Sequence, residues 1–130
     1  MIPNKQGYME IIEVNDRITR KDFLKLPREI YKNDPNWVCP LDNDIESVFD
    51  PARNSFHKYG SCTRWILRGG NGKIIGRIAA FINERKAFHY EQPTGGSGFF
   101  ECIDNQAAAD FLFDTAKNWL LARGMKEIDR

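Results

Sequence analysis

A glycine-rich turn between two apolar segments is the feature that most constrains how this chain can fold. The segments CTRWIL and KIIGRIAAFI flank Gly69–Gly72, whose sequence is GGNG. Glycine and asparagine readily adopt the positive φ angles that tight hairpin turns require. The pattern therefore predicts an antiparallel β-hairpin. Gly76 lies inside the second strand, which predicts either a bulge or the close approach of another part of the chain.

A second predicted strand runs directly into a long amphipathic helix. Phe99–Ile103 (FFECI) is extended in character, and apolar residues recur at helical spacing after it. This apolar face consists of Ala108, Phe111, Leu112, Thr115, Ala116, Trp119 and Leu120. Asp104 is the predicted N-cap, and Arg123 with Gly124 is typical of a helix C-terminus. We interpret the preceding ERKAFHYEQPTGGSG as a polar connector, because phosphate-binding glycines follow a strand rather than precede it.

The first third of the chain predicts one strand and one helix. Tyr8–Asn15 is a short β-branched run, typical of a strand. Thr19 and Asp22 resemble a capping box, and the apolar residues after them keep helical spacing. Pro27 predicts a kink or a break inside this helix, and Asp34-Pro35 predicts its end.

The segment Asn36–Gly60 is rich in aromatic residues and proline and is only weakly periodic. Its LDNDIESVF portion has the length of two helical turns. Such a segment must cover apolar surface or form the wall of a pocket. We favour the first interpretation, a cover over the core, and keep the second, a part of a substrate site.

Composition restricts the class of protein. The chain has 130 residues with 42% hydrophobic and 28% charged residues, which fits a single packed domain. A formal net charge of +1 argues against a nucleic-acid partner. We expect no membrane span, and three widely spaced cysteines indicate free thiols in a reducing, cytoplasmic setting. We expect no metal site, because His57 and His89 lack nearby ligands at metal-binding spacing.

Glu101 is the candidate catalytic residue, and two roles are open for it. It is either a general base or a carboxylate at the rim of the sheet. A thiol catalyst is disfavoured, because Glu101 and Cys102 point to opposite faces of one strand and nothing orients His89.

The order of these elements resembles the first half of the GNAT acyltransferase fold. The segments FLKLPREIYKNDPNWVCPL, GKIIGRIAAFIN, GFFECIDN and WLLARGM, in this order, resemble a bacterial branch of GNAT-like proteins. The resemblance extends from about Val14 to Ile128. It implies an α+β fold: an antiparallel β-sheet with helices packed on it, the N-terminal half of a GNAT-like acyl-CoA acyltransferase fold. We expect residues 1–130 to form a single domain that is truncated on its C-terminal side.

The resemblance also implies a reaction and a set of site residues. GNAT proteins transfer an acyl group from acetyl-CoA or another acyl-CoA to an amine, here a small-molecule acceptor. The pantetheine arm lies along the strand that corresponds to Phe99–Ile103, and the pyrophosphate lies at the start of the next helix. The resemblance therefore points to cofactor-binding residues Phe100, Cys102, Ile103, Asn105 and Gln106. A backbone amide of the strand near Phe100 to Cys102 would stabilise the oxyanion.

One part of the family pattern is missing. The glycine-containing loop that binds pyrophosphate in GNAT proteins reads Asp104–Ala108 here, without glycine. A carboxylate at Asp104 would repel phosphate, so we expect this chain to bind acetyl-CoA weakly or not at all. The expected function is an acyl-CoA-dependent N-acyltransferase-like domain, incomplete or degenerate, and the alternative is a non-catalytic protein-interaction module. A strand edge exposed near MKEIDR predicts a homo-oligomer.

Overall fold

The computed structural model describes residues 9–83 and 94–129, which form a five-stranded sheet with helices on both faces. In chain order the elements are β1 (Glu10–Glu13), α1 (Arg17–Ile30), α2 (Asp42–Phe49), a 3-10 helix (Ser55–Lys58), β2 (Gly60–Arg68), β3 (Ile74–Asn83), β4 (Thr94–Cys102), α3 (Gln106–Ala122) and β5 (Glu127–Asp129). The strand order is β1-β2-β3-β4-β5. Strands β1 to β4 are antiparallel, and β5 pairs with β4 in parallel. The predicted α+β class is confirmed.

The sheet separates two apolar clusters. On one face, α3 packs against β2 and β3 through residues that are almost fully buried: Trp65, Leu67, Ile78, Ala80, Leu112, Ala116 and Leu120. On the other face, α1 and α2 place Phe23 and Ile45 against Ile66 of β2. Alternate residues of each strand therefore serve different clusters, as the period of a β-strand requires.

The hairpin forms where the glycine-rich turn predicts it. The Gly69 N–H donates to the Lys73 carbonyl at 2.8 Å, and Gly72 has φ 83°. Gly76 is a site of close approach. A Cβ at this position would lie 2.5 Å from Cδ1 of Leu112, so only glycine lets α3 pack this close to β3.

Helix α1 begins earlier than predicted and is not broken at its proline. Asp16 is the N-cap: the Thr19 N–H donates to its Oδ1 at 2.8 Å, and the Asp16 N–H donates to Thr19 Oγ1 at 3.2 Å. The predicted box of Thr19 with Asp22 is therefore wrong by one turn. The helix continues through Pro27, because tertiary contacts offset the loss of the hydrogen bond that Pro27 cannot make. It ends at Ile30.

The prediction for the start of α3 was also wrong by one residue. Asn105, not Asp104, is the N-cap, and its side-chain oxygen accepts from the Ala108 N–H at 2.9 Å. Asp104 is exposed. The helix ends at the predicted Arg123 and Gly124, and Gly124 has φ 87°.

Strand β4 is longer than the sequence predicts. Thr94–Gly98 belongs to the strand rather than to a connector. Glycine has a low propensity for strands, so the sequence of this segment did not predict one. Hydrogen bonding to β3 and β5 on its two sides holds the segment in the extended conformation. The remainder of the predicted connector, residues 84–93, lies outside the described residues.

The aromatic segment between α1 and β2 covers the sheet. Its predicted helical turns form α2. The Phe49 ring stacks on Phe81 of β3 at a centroid distance of 5.9 Å, and Phe56 contacts the same ring at 6.3 Å. This position agrees with the favoured interpretation of the segment as a cover over the core.

Candidate functional site

A bulge in β4 is the centre of the candidate site. Arg77 of β3 pairs with Glu101 of β4 and Ala79 pairs with Gly98, so one residue of β3 lies opposite two of β4. Phe99, one of those two, has φ 55°. A bulky residue in this left-handed region is strained by about 1–3 kcal/mol, and such strain concentrates at functional sites.

An aromatic cluster holds Phe99 in this conformation. Its ring lies 5.3 Å from Phe49 and 6.2 Å from both Phe23 and Phe81, measured between centroids. These rings come from α1, α2, β3 and β4, so the bulge is fixed by packing from several elements. Each such aromatic pair contributes about 0.5–1.5 kcal/mol beyond simple burial, enough to offset the backbone strain.

Arg77 connects the bulge to α1. Its Nε donates to the Phe99 carbonyl at 3.0 Å, and its Nη1 donates to the Phe23 carbonyl at 2.6 Å. The residue is 4% exposed, and its guanidinium lies 4.5 Å from the centroid of the Phe23 ring. Burial lowers the pKa of Arg77 to about 10, so the guanidinium stays charged at neutral pH.

Pro27 explains why the Phe23 carbonyl is available to Arg77. In an α-helix the carbonyl of residue 23 accepts from the N–H of residue 27, and proline has no N–H. Arg77 supplies the missing donor from the sheet. The interior proline and the buried arginine therefore form one structural unit, which also accounts for the continuity of α1.

Glu101 lies on the same face of the sheet, two residues beyond Phe99, and is held by α1. The Tyr31 hydroxyl donates to Glu101 Oε1 at 2.6 Å. The Tyr31 ring in turn stacks on Trp37 at a centroid distance of 5.4 Å. The carboxylate of the candidate base is thus partly buried and oriented by a phenol, an arrangement that suits a group that accepts a proton at a defined position.

The Tyr31–Glu101 hydrogen bond predicts a pH dependence. This bond, with burial as the second cause, raises the pKa of Tyr31 above its usual value of 10.0. The folded state favours the protonated phenol, so the stabilisation is complete below pH 10 and is lost as the pH rises through the folded-state pKa. We expect Tyr31→Phe to lower the free energy of unfolding by about 1 kcal/mol at neutral pH.

Ultraviolet titration of tyrosinate checks this prediction. The titration curve of the wild type minus that of the Tyr31→Phe variant should show one tyrosine that loses its proton at a higher pH than the others. A difference curve centred at or below the usual tyrosine pKa would contradict the hydrogen bond. Tyr59→Phe is the matched control that removes a different tyrosine.

The predicted site residues of β4 point to opposite faces of the sheet. Phe100 and Cys102 point toward α3, where Phe100 stacks on Phe113 at a centroid distance of 4.4 Å. Glu101 points the other way, toward Tyr31. The expected separation of Glu101 from Cys102 is therefore observed. Burial raises the pKa of the Cys102 thiol, which further disfavours a thiolate nucleophile.

Ile103, Asn105 and Gln106 lie together where β4 passes into α3. The Ile103 N–H donates to the Ile75 carbonyl at 3.0 Å, and the residue is 40% exposed. The Asn105 side chain accepts a hydrogen bond from the Ala108 N–H, and the Gln106 side-chain amide donates to Asp110 Oδ1 at 2.8 Å. The structure thus brings these three residues to one helix terminus. Whether they bind a cofactor remains a prediction.

The cap at Asn105 predicts a measurable loss of stability. Asn105→Ala removes the acceptor for the Ala108 N–H, and we expect the free energy of unfolding to fall by about 1 kcal/mol. Asp104→Ala is the control one residue away, with an expected change near zero because its side chain is exposed and does not cap. Urea denaturation of both variants checks the result. An equal or larger loss in the Asp104 variant would mean that Asp104 is the cap.

In the described part of the chain, β5 pairs with the outer edge of β4 only along the first residues of that strand. Strand β5 pairs with β4 at Thr94, Gly95 and Gly96. Among the described residues, Ser97–Cys102 has no partner strand on the side away from β3. Backbone groups on such an edge are available to an extended ligand that carries amides of its own.

The functional candidates that sequence reasoning missed are Arg77, Tyr31 and the conformation of Phe99. A signal for Arg77 was present, because an arginine inside an apolar strand must find partners when it is buried. Pro27 inside a helical pattern was a second signal, since it leaves one carbonyl without a donor. Neither signal names the partner, which lies 54 residues away along the chain.

Two classes of site receive no support from the described part of the chain. Residues 9–83 and 94–129 contain no cluster of three or more potential metal ligands. Among the same residues, no helix combines the length and apolar character of a membrane span.

Comparison with known proteins gives two curated relatives. The chain is 32% identical over 121 residues to a protein named bacterial ceramide synthase from Caulobacter vibrioides (strain NA1000 / CB15N), covering 89% of this chain and 30% of the relative. It is 31% identical over 108 residues to protein YghO of Escherichia coli (strain K12), covering 83% of this chain and 27% of the relative. The chain thus spans less than a third of the length of either protein. No family model matches it.

Solved structures identify the fold. A tandem GNAT protein from the clavulanic acid biosynthesis pathway superimposes with a TM-score of 0.67 at 15% identity, covering 90% of this chain and 34% of that one. At this level of identity the likeness concerns the fold alone. The superposition extends over nearly the whole of this chain. The chain therefore has the fold of the GNAT acetyltransferases.

Proposed function

We propose that this chain is the part of an N-acyltransferase that binds the acyl donor and carries the general base. The observation that supports this most is the β4 bulge at Phe99, with Glu101 two residues further on and a strand edge alongside that has no partner strand among the described residues. The GNAT-like fold and the relation to a ceramide synthase support the same proposal.

Each part of the site suits one step of acyl transfer to an amine. A backbone amide near Phe100 would donate to the thioester carbonyl oxygen, where negative charge develops as the amine attacks. Glu101 would accept a proton from the amine, with Tyr31 holding its carboxylate in place. The C–N bond forms as the amine attacks, the C–S bond then breaks, and the sulfur leaves as a thiolate that takes a proton from water. Glu101 returns the amine proton to water.

The fit to an acyl-CoA donor differs along the length of that molecule. Ser97–Cys102, which has no partner strand on its outer side among the described residues, suits the amides of a pantetheine arm. The start of α3 suits a pyrophosphate less well, because Asn105 already occupies one helix amide and Asp104 adds a carboxylate. The amides of Gln106 and Ala107 have no acceptor within the helix and remain for the phosphate. We therefore expect affinity to come mainly from the acyl and pantetheine portions.

The acceptor we propose is an amine on an apolar chain. A ceramide is an amide of such an amine, and one relative of this chain is named a ceramide synthase. The stacked rings of Tyr31 and Trp37 lie beside Glu101 and offer an apolar surface next to the base. The acceptor amine would approach Glu101 from this side.

The test is an assay of the protein at its full natural length. Acyl-CoA donors of several chain lengths are combined with long-chain and short-chain amines, and the amide product and the released thiol are both measured. We expect turnover with long-chain amines. Glu101→Gln should lower kcat by at least about 100-fold, the usual contribution of a general base. Glu13→Gln, an exposed carboxylate on β1, is the control and should leave kcat unchanged.

The alternative is a non-catalytic module that keeps the GNAT frame. The glycine-free junction between β4 and α3 favours it, because an anion site there is weakened. Absence of turnover with every donor, together with absence of acetyl-CoA binding in a calorimetric titration, would support this alternative over the enzyme.

A further inference from the structure

We propose that Arg77 is a positioning residue for acyl transfer, which sets the β4 bulge and thereby places the Phe100 amide and the Glu101 carboxylate. The inference rests on the proposed function for its catalytic consequence. Its structural part, the control of the bulge by Arg77, is tested separately.

The guanidinium joins two carbonyls that the secondary structure leaves without donors. The Phe99 carbonyl lies in a bulge, where the β3–β4 register skips and the regular ladder is interrupted. The Phe23 carbonyl lacks its helical donor because residue 27 is proline. Arg77 donates Nε to the first and Nη1 to the second, at 3.0 and 2.6 Å. Since a guanidinium is planar and rigid, its two bonds fix the distance between α1 and the bulge.

The charge of Arg77 is costly for a purely structural role. The side chain is almost fully buried, and it forms no salt bridge among the described residues. Apolar residues of the same volume often stabilise a core as well as buried charges do. The guanidinium bonds two separate carbonyl groups at once, those of Phe23 and Phe99, and its charge also interacts favourably with the Glu101 carboxylate.

Hydrogen bonds connect β4 with α1 at two points, the bulge and the candidate base Glu101. From Phe99 the connection runs through Arg77 to Phe23 and along the last turns of α1, where the Tyr31 N–H donates to the Pro27 carbonyl at 2.9 Å. The Tyr31 hydroxyl then returns to β4 at Glu101. Two anchors from α1 therefore act on β4, one at the bulge and one at the carboxylate. Loss of Arg77 removes the first and leaves the second in place.

Two substitutions separate positioning from stability. Arg77→Met removes both donors at similar side-chain length. Adding Pro27→Ala to it gives the Phe23 carbonyl a helical N–H donor again, while the Phe99 carbonyl still has none. We expect the double variant to recover part of the lost Tm without recovering the geometry of the bulge. Arg77→Lys, which keeps the charge and can serve the carbonyls with one ammonium, should retain an intermediate kcat.

The readouts are kcat, KM for the acyl donor, and amide hydrogen exchange at residues 99–101, all in the protein at its full natural length. We expect R77M/P27A to lose at least tenfold in kcat, about 1.4 kcal/mol of activation free energy, with little change in KM. We also expect faster exchange of the Phe100 and Glu101 amides than in P27A alone. Leu120→Ala is the stability control: it shortens a buried side chain on the opposite face of the sheet, in the apolar cluster that does not contain Phe23, Phe49 or Phe99. It should lower the Tm and leave kcat unchanged, measured well below the transition.

The outcomes distinguish a positioning role of Arg77 from a purely stabilising one. Recovery of wild-type kcat and exchange in R77M/P27A would overturn the proposal, because Arg77 would then only stabilise the fold. Equal losses of kcat in L120A and R77M would also overturn it. If the wild type has no turnover, the proposed function fails, and faster exchange at residues 99–101 in R77M/P27A still supports control of the bulge by Arg77. Unchanged exchange would remove that support as well.

Discussion

Replacing Arg77 with methionine is expected to lower the free energy of unfolding by about 2–4 kcal/mol. The substitution leaves the Phe23 and Phe99 carbonyls without the donors that Arg77 now provides. Each buried carbonyl that loses its donor costs about 1–3 kcal/mol, and removal of a buried charge returns part of this cost. Urea denaturation followed by circular dichroism measures the change.

A double-mutant cycle with Pro27 identifies the cause. Pro27→Ala in the wild type adds an N–H to a carbonyl that Arg77 already serves, so its effect should be small. In the Arg77→Met background the same change supplies a missing donor and should be more favourable by about 1 kcal/mol. Additive effects of the two substitutions would show that Pro27 and Arg77 act independently, contrary to the shared Phe23 carbonyl.

Shortening Leu112 to alanine is expected to cost about 3 kcal/mol, because Leu112 is fully buried between α3 and the sheet. The loss combines the transfer free energy of the removed methyl groups with the cavity they leave. Thermal or urea denaturation measures it. Leu121→Ala on the exposed side of the same helix is the control, with an expected change within about 0.5 kcal/mol.

Gly76 provides a second cycle on this contact. A methyl group at residue 76 would lie 2.5 Å from Leu112 Cδ1, so Gly76→Ala alone should destabilise the wild type. In the Leu112→Ala background the methyl group enters the space that leucine vacated, and the cost of Gly76→Ala should shrink or change sign. An unchanged cost would mean that Cys102 Sγ and the Glu101 carbonyl of β4, each 3.4 Å from a Cβ at residue 76, exclude alanine rather than the side chain of Leu112.

Strong local patterns predicted the frame of this protein. The GGNG turn fixed a hairpin because its residues adopt positive φ, and the apolar face of α3 follows a helical period that no strand can satisfy. The order of these elements was enough to recognise the GNAT-like fold that the structural comparison supports. These features depend on neighbours within a few residues, and the sequence contains those neighbours.

Element boundaries were less predictable, since capping residues compete. Asp16 and Thr19 form the box at α1, and Asn105 rather than Asp104 caps α3. Aspartate and asparagine both suit a cap, and a shift of one residue or one turn changes the local energy by only about 1 kcal/mol. Packing of α1 and α3 on the sheet selects among such alternatives.

The sequence alone determined the hairpin, the amphipathic helix and the separation of Glu101 from Cys102 by strand alternation. It left a bulge and a close approach as alternatives at Gly76, and the structure shows the approach of Leu112. Only the tertiary structure decided that Phe99 forms a strained bulge, that Tyr31 orients Glu101, and that Arg77 completes a helix that Pro27 would otherwise interrupt. The physical reason is distance along the chain. A turn or a helical face is encoded by adjacent residues, whereas an unpaired carbonyl and the arginine that serves it are 54 residues apart and meet only when the sheet has formed.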